Sequence, residues 1–276
     1  GKIKIIFITL LFAIFSVFYA LSVPNQYKAT ALLASTQAES SGLSGALGQL
    51  GGLASLAGVN VNSGGGSETD KAKAIMISWN FIEGFIKNNN LEVALVAAEG
   101  WDKERNQLQI NEEIYDIKNK TWLVDKPSSW SLFKSFSSSL SVSETNSGFL
   151  SVAIEHYSPY VAKQWLDLYV NEINKYMQEL QVIKVNNNIN YLQEQISTTS
   201  IAEMQEVFYS IIEEQIKNKM LAEASPNYAF VPVSASMLPE EKSQPKRAII
   251  CISITLIGGI FSVLIVLIMH YLRRTD

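Results

Sequence analysis

The sequence predicts an α+β membrane protein, with two transmembrane helices flanking a membrane-proximal α/β base domain and a long helical hairpin protruding from that base. Three observations predict it. Membrane-length apolar runs lie at both ends, over 3–23 and 248–269, with 224 residues between them. A stretch of 66 residues, 160–225, contains neither Gly nor Pro. Short β-rich segments lie on either side of that stretch, over 26–34, 149–155 and 228–233. These set the boundaries: a first span over 3–23, a base over 24–157, a hairpin over 158–225 turning near 197–200, a return strand and Pro-containing linker over 226–247, and a second span over 248–269.

The first run contains no ionisable residue except Lys4 at its edge, and the second contains none. At about 1.5 Å per residue, each crosses the roughly 30 Å hydrocarbon core as a helix. A cleaved signal peptide is the other reading of the first run. Its apolar stretch exceeds the usual ~7–15 residues, and Leu21-Ser22-Val23-Pro24 is a poor small-residue cleavage site. The chain begins at Gly1 rather than Met, so a short segment is expected ahead of it. Lys2, Lys4, Arg273 and Arg274 favour cytoplasmic termini, but Lys28, Lys242, Lys246 and Arg247 flank the opposite ends. The positive-inside count is a tie.

Of the 22 Lys and Arg, four lie outside residues 24–247; of the 26 Asp and Glu, only Asp276 does, leaving 18 basic against 25 acidic residues. That balance argues against nucleic acid, or an anionic lipid surface, as the main partner. The one cysteine, Cys251, lies inside the second span, so no intrachain disulfide is expected. No HExxH, GxSxG or GxxxxGK[ST] motif and no Cys/His cluster occurs, and the two histidines are His156 and His270. The chain is therefore read as non-enzymatic, with no cofactor and no metal.

Along the chain, 26–34 reads as a strand leaving the membrane. Residues 42–66 are Gly- and Ser-rich, with Leu43, Leu47, Leu50, Leu53 and Ala57 at steps of three and four; a Gly-weakened helix and a flexible flap are both open readings. Ser67-Glu68-Thr69-Asp70 supplies cap chemistry for a helix whose stripe is Ile75, Trp79, Ile82 and Ile86. A short helix is expected over 91–98, loop over 101–130, and one or two helical turns over 131–138. Residues 149–155 form the clearest strand, and 228–233 a third. Strands separated by helices suggest a base built from βα units.

Ser158-Pro159 opens the Gly- and Pro-free stretch with a cap and an N1 proline, and Pro226 closes it. Val161, Trp165, Leu168, Tyr176, Leu180 and Ile183 form one seam, resumed by Leu192 and Ile196 and again by Met204, Phe208, Ile211, Gln215, Ile216 and Met220. As one helix the stretch would be ~100 Å long, whereas 226–245 reaches back roughly 70 Å at most. It must fold back. Ser197-Thr198-Thr199-Ser200 competes most strongly with helix, so an outgoing helix over 159–196 and a returning one over 201–223 are expected.

Four segments carry a family resemblance: Ser158-Pro159-Tyr160-Val161-Ala162-Lys163-Gln164-Trp165, Tyr191-Leu192-x-Glu194-Gln195, Ile212-Glu213-x-Gln215-x-Lys217-x-x-Met220-Leu221-Ala222, and Leu238-Pro239-Glu240-Glu241-Lys242-Ser243-Gln244-Pro245-Lys246-Arg247. In this order, between two terminal spans, they resemble Wzz-type chain-length determinants, the polysaccharide co-polymerases. The resemblance implies a multi-pass protein of the bacterial inner membrane with a periplasmic central domain and both termini cytoplasmic. It further implies a homo-oligomeric ring of about eight protomers that sets the modal length of O-antigen or a related lipopolysaccharide glycan, working with a membrane polysaccharide polymerase and without catalysis. Partners would thus be further copies, the polymerase, the bilayer and possible glycan, with no nucleic acid. The Pro-containing stretch is sparser, and the hairpin shorter, than in many such proteins. The alternative is a membrane adaptor of a capsule or exopolysaccharide export system paired with a separate tyrosine autokinase; a two-span sensor is a further one.

The resemblance marks Pro232, Pro239, Glu240, Lys242, Pro245 and Lys246 as a linker motif able to transmit a signal between ring and membrane; stiffening of the linker is the plainer role. Thr9, Ala13, Ser16 and Ala20 form a small-residue stripe on the first span. Cys251, Thr255, Gly259 and, offset, Gly258 with Ser262 do so on the second, and such stripes let helices approach closely. His156 is expected to be a hydrogen-bonded structural residue. Trp79, Trp101, Trp122 and Trp130 are candidates for stacking on sugar rings, against the commoner use of tryptophan in core packing.

Overall fold

One antiparallel sheet and the long helix lying on it organise the chain in a computed structural model that describes residues 2–36 and 68–275. Helix α1 (Lys2–Ser22) leads directly into β1 (Gln26–Ser35). Three helices and a hairpin of the base follow: α2 (Glu68–Met76), α3 (Trp79–Asn88), α4 (Glu92–Val96) and β2 (Ala98–Asp102) with β3 (Gln107–Ile110). A two-residue pair, β4 (Tyr115–Asp116) and β5 (Thr121–Trp122), precedes α5 (Ser129–Ser139), β6 (Leu140–Glu144) and β7 (Leu150–His156). The chain then forms α6 (Pro159–Thr198) and α7 (Ala202–Glu223), returns through β8 (Phe230–Ser234) and β9 (Lys242–Gln244), and ends in α8 (Arg247–Thr275). The Gly- and Ser-rich stretch at 42–66 lies outside the described residues.

The sheet order is β6-β7-β1-β8, with β9 also on β1. The expectation of βα units needs correcting, because every pairing in this sheet is antiparallel. β6 was not legible as a strand: Leu-Ser-Val-Ser-Glu is short and half polar, and its order comes from a hairpin with β7. β8 and β9 occupy the same edge of β1, at Leu32–Ser35 and Gln26–Tyr27 respectively, and so act as one interrupted return strand. Pro232 sits at the register shift opposite Leu33, on an edge strand where a missing N–H costs no ladder bond.

Two further boundaries differ from expectation. The stripe at 75–86 is divided between α2 and α3, because the Ser78 hydroxyl accepts from Phe81 N and starts a new helix. Residues 101–122 contain small hairpins rather than loop alone. Asp102 accepts from the N–H groups of Glu104 and Arg105, and Asp116 from those of Lys118 and Asn119. Asn106 and Lys120 take the left-handed conformation that each tight turn requires, at φ 50° and 53°.

α6 is ~60 Å long at 1.5 Å per residue. It starts beside His156, which pairs with Tyr27 at the end of β1 next to α1, and it runs back over the sheet away from α1. Its first half buries Ala162, Trp165, Leu166, Tyr169, Val170, Ile173 and Met177 against Ala29, Ala31, Leu33, Val152 and Ile154. Of the seam read from the sequence, Trp165 lies in this buried face, while the rest of the seam lies to one side of it. Val161, Leu168, Tyr176 and Leu180 are the partly buried flank of this face, and Ile183 is exposed. The sequence carries two apolar rows there because α6 packs on the sheet and also against α3, where Phe81 meets Tyr169 and Tyr176 edge-on at 5.3 and 5.4 Å.

Beyond Met177 the only fully buried residue of α6 is Val185. The sheet, ten residues of β1 or ~33 Å, ends at about that level, and α6 continues past it by roughly another 30 Å. α7 returns alongside it over a similar length. Ser197 and Thr198 donate their hydroxyls back to the Glu194 carbonyl and end the outgoing helix, so the break falls at 199–201. Gln205 Nε2 then donates to the Thr199 carbonyl at 2.8 Å and closes the turn.

Candidate functional site

Among the described residues no pocket in view gathers a cluster of reactive groups; the candidate features are the helix pair, the return linker, the hairpin and the aromatic clusters. Among the described residues no group of three or more His, Cys, Asp or Glu could hold a metal ion.

The helix pair is α1 against α8, running antiparallel. Thr9 Oγ1 lies 3.2 Å from Ser262 Oγ, and the Cys251 thiol donates to the Ser16 carbonyl at 3.8 Å. Ser16, Ala20 and Ser262 are buried, and Ala13 and Thr255 partly so. Gly258 faces Phe12 so closely that a Cβ would stand 2.4 Å from its ring. At Gly259 the nearest group, Thr9 Cγ2, would be 3.9 Å away. The outward residues of α1, including Ile6, Phe7, Leu10, Leu11, Phe15 and Phe18, are all more than half exposed. Among the described residues, Arg247–Leu264 of α8 is the one helical stretch long and apolar enough to cross a membrane; Ile6–Ser22 of α1 is a shorter apolar stretch.

The linker residues are spread along the return path. Pro232 is in β8, Pro239 and Glu240 lie in the excursion between β8 and β9, Lys242 pairs with Tyr27, and Pro245 is buried immediately before exposed Lys246. The excursion is tied to α6 by buried Ser236, whose hydroxyl donates to the Asp167 carboxylate; Lys163 pairs with the same carboxylate at 2.6 Å. The six residues thus do not converge on one point. They form the strip that joins the end of the hairpin to α8.

The four tryptophans do not form one platform either. Trp79 stacks on Trp130 at 5.3 Å and on Phe133 at 5.4 Å, and its indole N–H donates to Glu83. Lys87, Ser129 and Trp79 all donate to Glu83, which holds its pKa down to about 2. Trp101 meets Tyr27 edge-on at 5.6 Å, and Trp122 meets Tyr115 at 5.2 Å. Each ring thus has an aromatic partner, and Trp130 is the most exposed of the four, at 58%.

His156 is hydrogen-bonded at both ring nitrogens. The Ser158 N–H donates to Nδ1 at 3.1 Å, so Nε2 carries the proton and donates to the Ala94 carbonyl at 3.0 Å. Burial lowers its pKa below 6.5, against the smaller opposing effect of the Ala94 carbonyl. Protonation would remove the acceptor that helps hold the start of α6. The stabilising contribution of neutral His156 is therefore complete above pH 6.5 and is lost as pH falls from there through the depressed folded-state value. Thermal unfolding of the wild type should weaken on acidification through this window more steeply than that of His156→Gln. Parallel pH profiles would remove His156 as the cause.

Two polar residues that were not singled out in the sequence turn out to join the hairpin to the base. Asn174, 2% exposed, accepts the N–H groups of Ala229 and Phe230 on Oδ1 at 2.9 and 2.8 Å, and donates to the Phe230 carbonyl at 2.9 Å. Its amide thus pairs with Phe230 as a neighbouring strand's peptide would. Gln178 Nε2 donates to the carbonyls of Ala222, Glu223 and Ser225 and caps the end of α7. The signal available was a lone amide, Asn174, between the apolar neighbours Ile173 and Met177.

Residues 1–88 match the family model described as Wzz, chain length determinant protein. No curated protein matches the chain. Among solved structures it is similar to a full-length bacterial polysaccharide co-polymerase, at 15% identity and a TM-score of 0.40, covering 100% of this chain and 96% of that one. It is also similar to a fragment of WzzB, a polysaccharide co-polymerase from Salmonella Typhimurium, at 14% identity and a TM-score of 0.35, covering 80% of this chain and 100% of that one. The match over residues 1–88 bears out the resemblance to chain-length determinants, from a part of the chain other than the four segments at 158–247.

Proposed function

We propose that this chain is a non-catalytic regulator of polysaccharide chain length, of O-antigen or a related glycan, acting as a ring-forming co-polymerase beside a membrane polymerase. The observation that carries the reading is the match of residues 1–88 to the chain length determinant family. In this reading α1 and α8 both span the inner membrane of a bacterium, with both termini cytoplasmic and the base and hairpin in the periplasm. The broad apolar exterior of α1 supports its place in lipid, since water-soluble surfaces rarely expose so large a contiguous patch.

The hairpin supports assembly. On α7, Phe208, Ile212 and Ala222 face inward at buried or half-buried positions, whereas Met204, Val207, Ile211, Ile216 and Met220 form further apolar surface left exposed. Neighbouring copies set side by side would cover that surface and build a ring around the growing glycan or its polymerase. The return strip carrying Pro232, Pro239, Glu240, Lys242, Pro245 and Lys246 would couple the ring to α8, and the small-residue seam of Thr9, Ala13, Ser16, Ala20, Thr255, Gly258, Gly259 and Ser262 would hold the two spans together. Deleting the gene and resolving the surface polysaccharide by gel tests the reading. The modal band is expected to disappear in favour of an unregulated distribution and to return on complementation; an unchanged ladder rejects it.

A further inference from the structure

At the foot of the α1/α8 pair lies a cleft of about 560 Å³, lined by Leu21, Val23, Pro24 and Asn25 from the end of α1 and the turn after it, by Tyr27, Trp101, Lys103 and Tyr157 from the base, and by Arg247 at the start of α8. Its position is the boundary at which the exposed apolar surface of the helices gives way to the polar base. Its chemistry is equally divided. The Arg247 guanidinium is held by a hydrogen bond from Nη2 to Asn25 Oδ1 at 3.1 Å, while its Nε–H is enclosed with no acceptor among the described residues. An enclosed donor of this kind is costly to leave unpaired, the more so on a charged group. Lys103 makes no ion pair among the described residues, and the Tyr27 and Tyr157 hydroxyls find no protein partner among them. Glu99, also on the wall and exposed, is the one acidic side chain there among the described residues, against two cations.

We propose that this cleft binds the phosphate headgroup of an anionic glycerophospholipid, with Arg247 and Lys103 on the phosphate and the acyl chains lying along the exposed faces of α1 and α8. The proposal rests on the reading that these helices lie in a bilayer. A headgroup phosphate supplies the acceptors that Arg247 lacks, and guanidinium is suited to it because its N–H groups form a planar fork. Trp101 and Tyr27 sit where aromatic side chains concentrate at membrane surfaces. The net negative charge of the base does not oppose this, since charges beyond about 8–10 Å are screened and the nearest ones decide. The site would anchor the start of α8 and the end of α1 to the same lipid, at the point where the return strip enters the membrane.

The test uses the full chain in bilayer discs of phosphatidylcholine doped with phosphatidylglycerol, with retained lipid read by native mass spectrometry after transfer to detergent. Wild type is expected to retain phosphatidylglycerol preferentially; Lys103→Gln should cut that preference about fivefold, and Arg247→Gln with Lys103→Gln should cut it by roughly the square of that. Lys103 lies in an exposed turn, so its single variant reads the site even if the Arg247 variant fails to fold. Equal retention of the two lipids, a preference untouched by Lys103→Gln, or full competition by inorganic phosphate would each overturn the proposal. Resistance of the chain to carbonate extraction, scored in parallel, separates failure of this site from failure of the membrane reading itself.

Discussion

Replacing Asn174 with leucine is expected to lower the thermal unfolding midpoint of the detergent-solubilised chain by roughly 10 °C. The side chain is nearly isosteric, so the loss is in hydrogen bonding rather than in volume. Leucine leaves the N–H groups of Ala229 and Phe230 and the Phe230 carbonyl without their partner at a buried site. Each orphaned buried group costs about 1–3 kcal/mol, and partial relaxation would bring the sum to about 3–5 kcal/mol. Phe230 itself is fully buried, so β8 cannot simply turn these groups to water without exposing its ring. Asn174→Asp keeps the acceptor for both N–H groups but loses the donor and buries a charge, so it should also destabilise. A midpoint within two or three degrees of wild type for Asn174→Leu would show that the amide is not the joint between hairpin and base.

The second large effect is expected at Gly258. Even the Cβ of alanine would lie 2.4 Å from Phe12 Cγ and 2.5 Å from its Cβ, too near the α1 backbone for a rotamer change to relieve. Gly258→Leu should therefore push α1 and α8 apart, at an overpacking cost of about 1–3 kcal/mol or more. Cysteines at positions 9 and 262 report the separation, because the hydroxyls they replace are 3.2 Å apart. In a Cys251→Ser background this pair should form an intramolecular disulfide, and Gly258→Leu should slow its formation at least tenfold, on the order of the cost converted to a population. Gly259→Ala is the control. Its Cβ would meet Thr9 Cγ2 at an ordinary 3.9 Å, so cross-linking should persist. Equal cross-linking in the Gly258→Leu protein would show that the close approach is not what holds the pair.

Elements whose signal is local were legible in the sequence. Ser158-Pro159 marks the start of α6 because a hydroxyl and a missing N–H both suit the first turn of a helix. β1 and β7 stand out through their runs of buried small and β-branched residues. β6 did not, because Ser141, Ser143 and Glu144 are ordinary loop residues until β7 pairs with them. The division of 68–88 into two helices was equally hidden, since Ser78 sits inside a continuous apolar stripe. In the candidate site, the small residues of α1 and α8 were visible as stripes, but that Gly258 meets Phe12 depends on the rotation of one helix about the other. Asn174 was overlooked, and the contact of Arg247 with Asn25 was hidden, for the same reason: their partners lie 55 and 222 residues away along the chain.

What the amino-acid order determined alone was the division of labour: apolar ends, and a stretch without Gly or Pro long enough that it had to double back. Those conclusions follow from hydropathy, backbone propensity and chain reach, which are properties of short segments. Tertiary structure decided the antiparallel sheet, the face of α6 that is buried, the amide that stands in for a strand at Phe230, and the cleft between Arg247 and Trp101. Each of these depends on which distant surfaces meet. Two apolar rows on one helix look alike in a sequence until a sheet covers one of them.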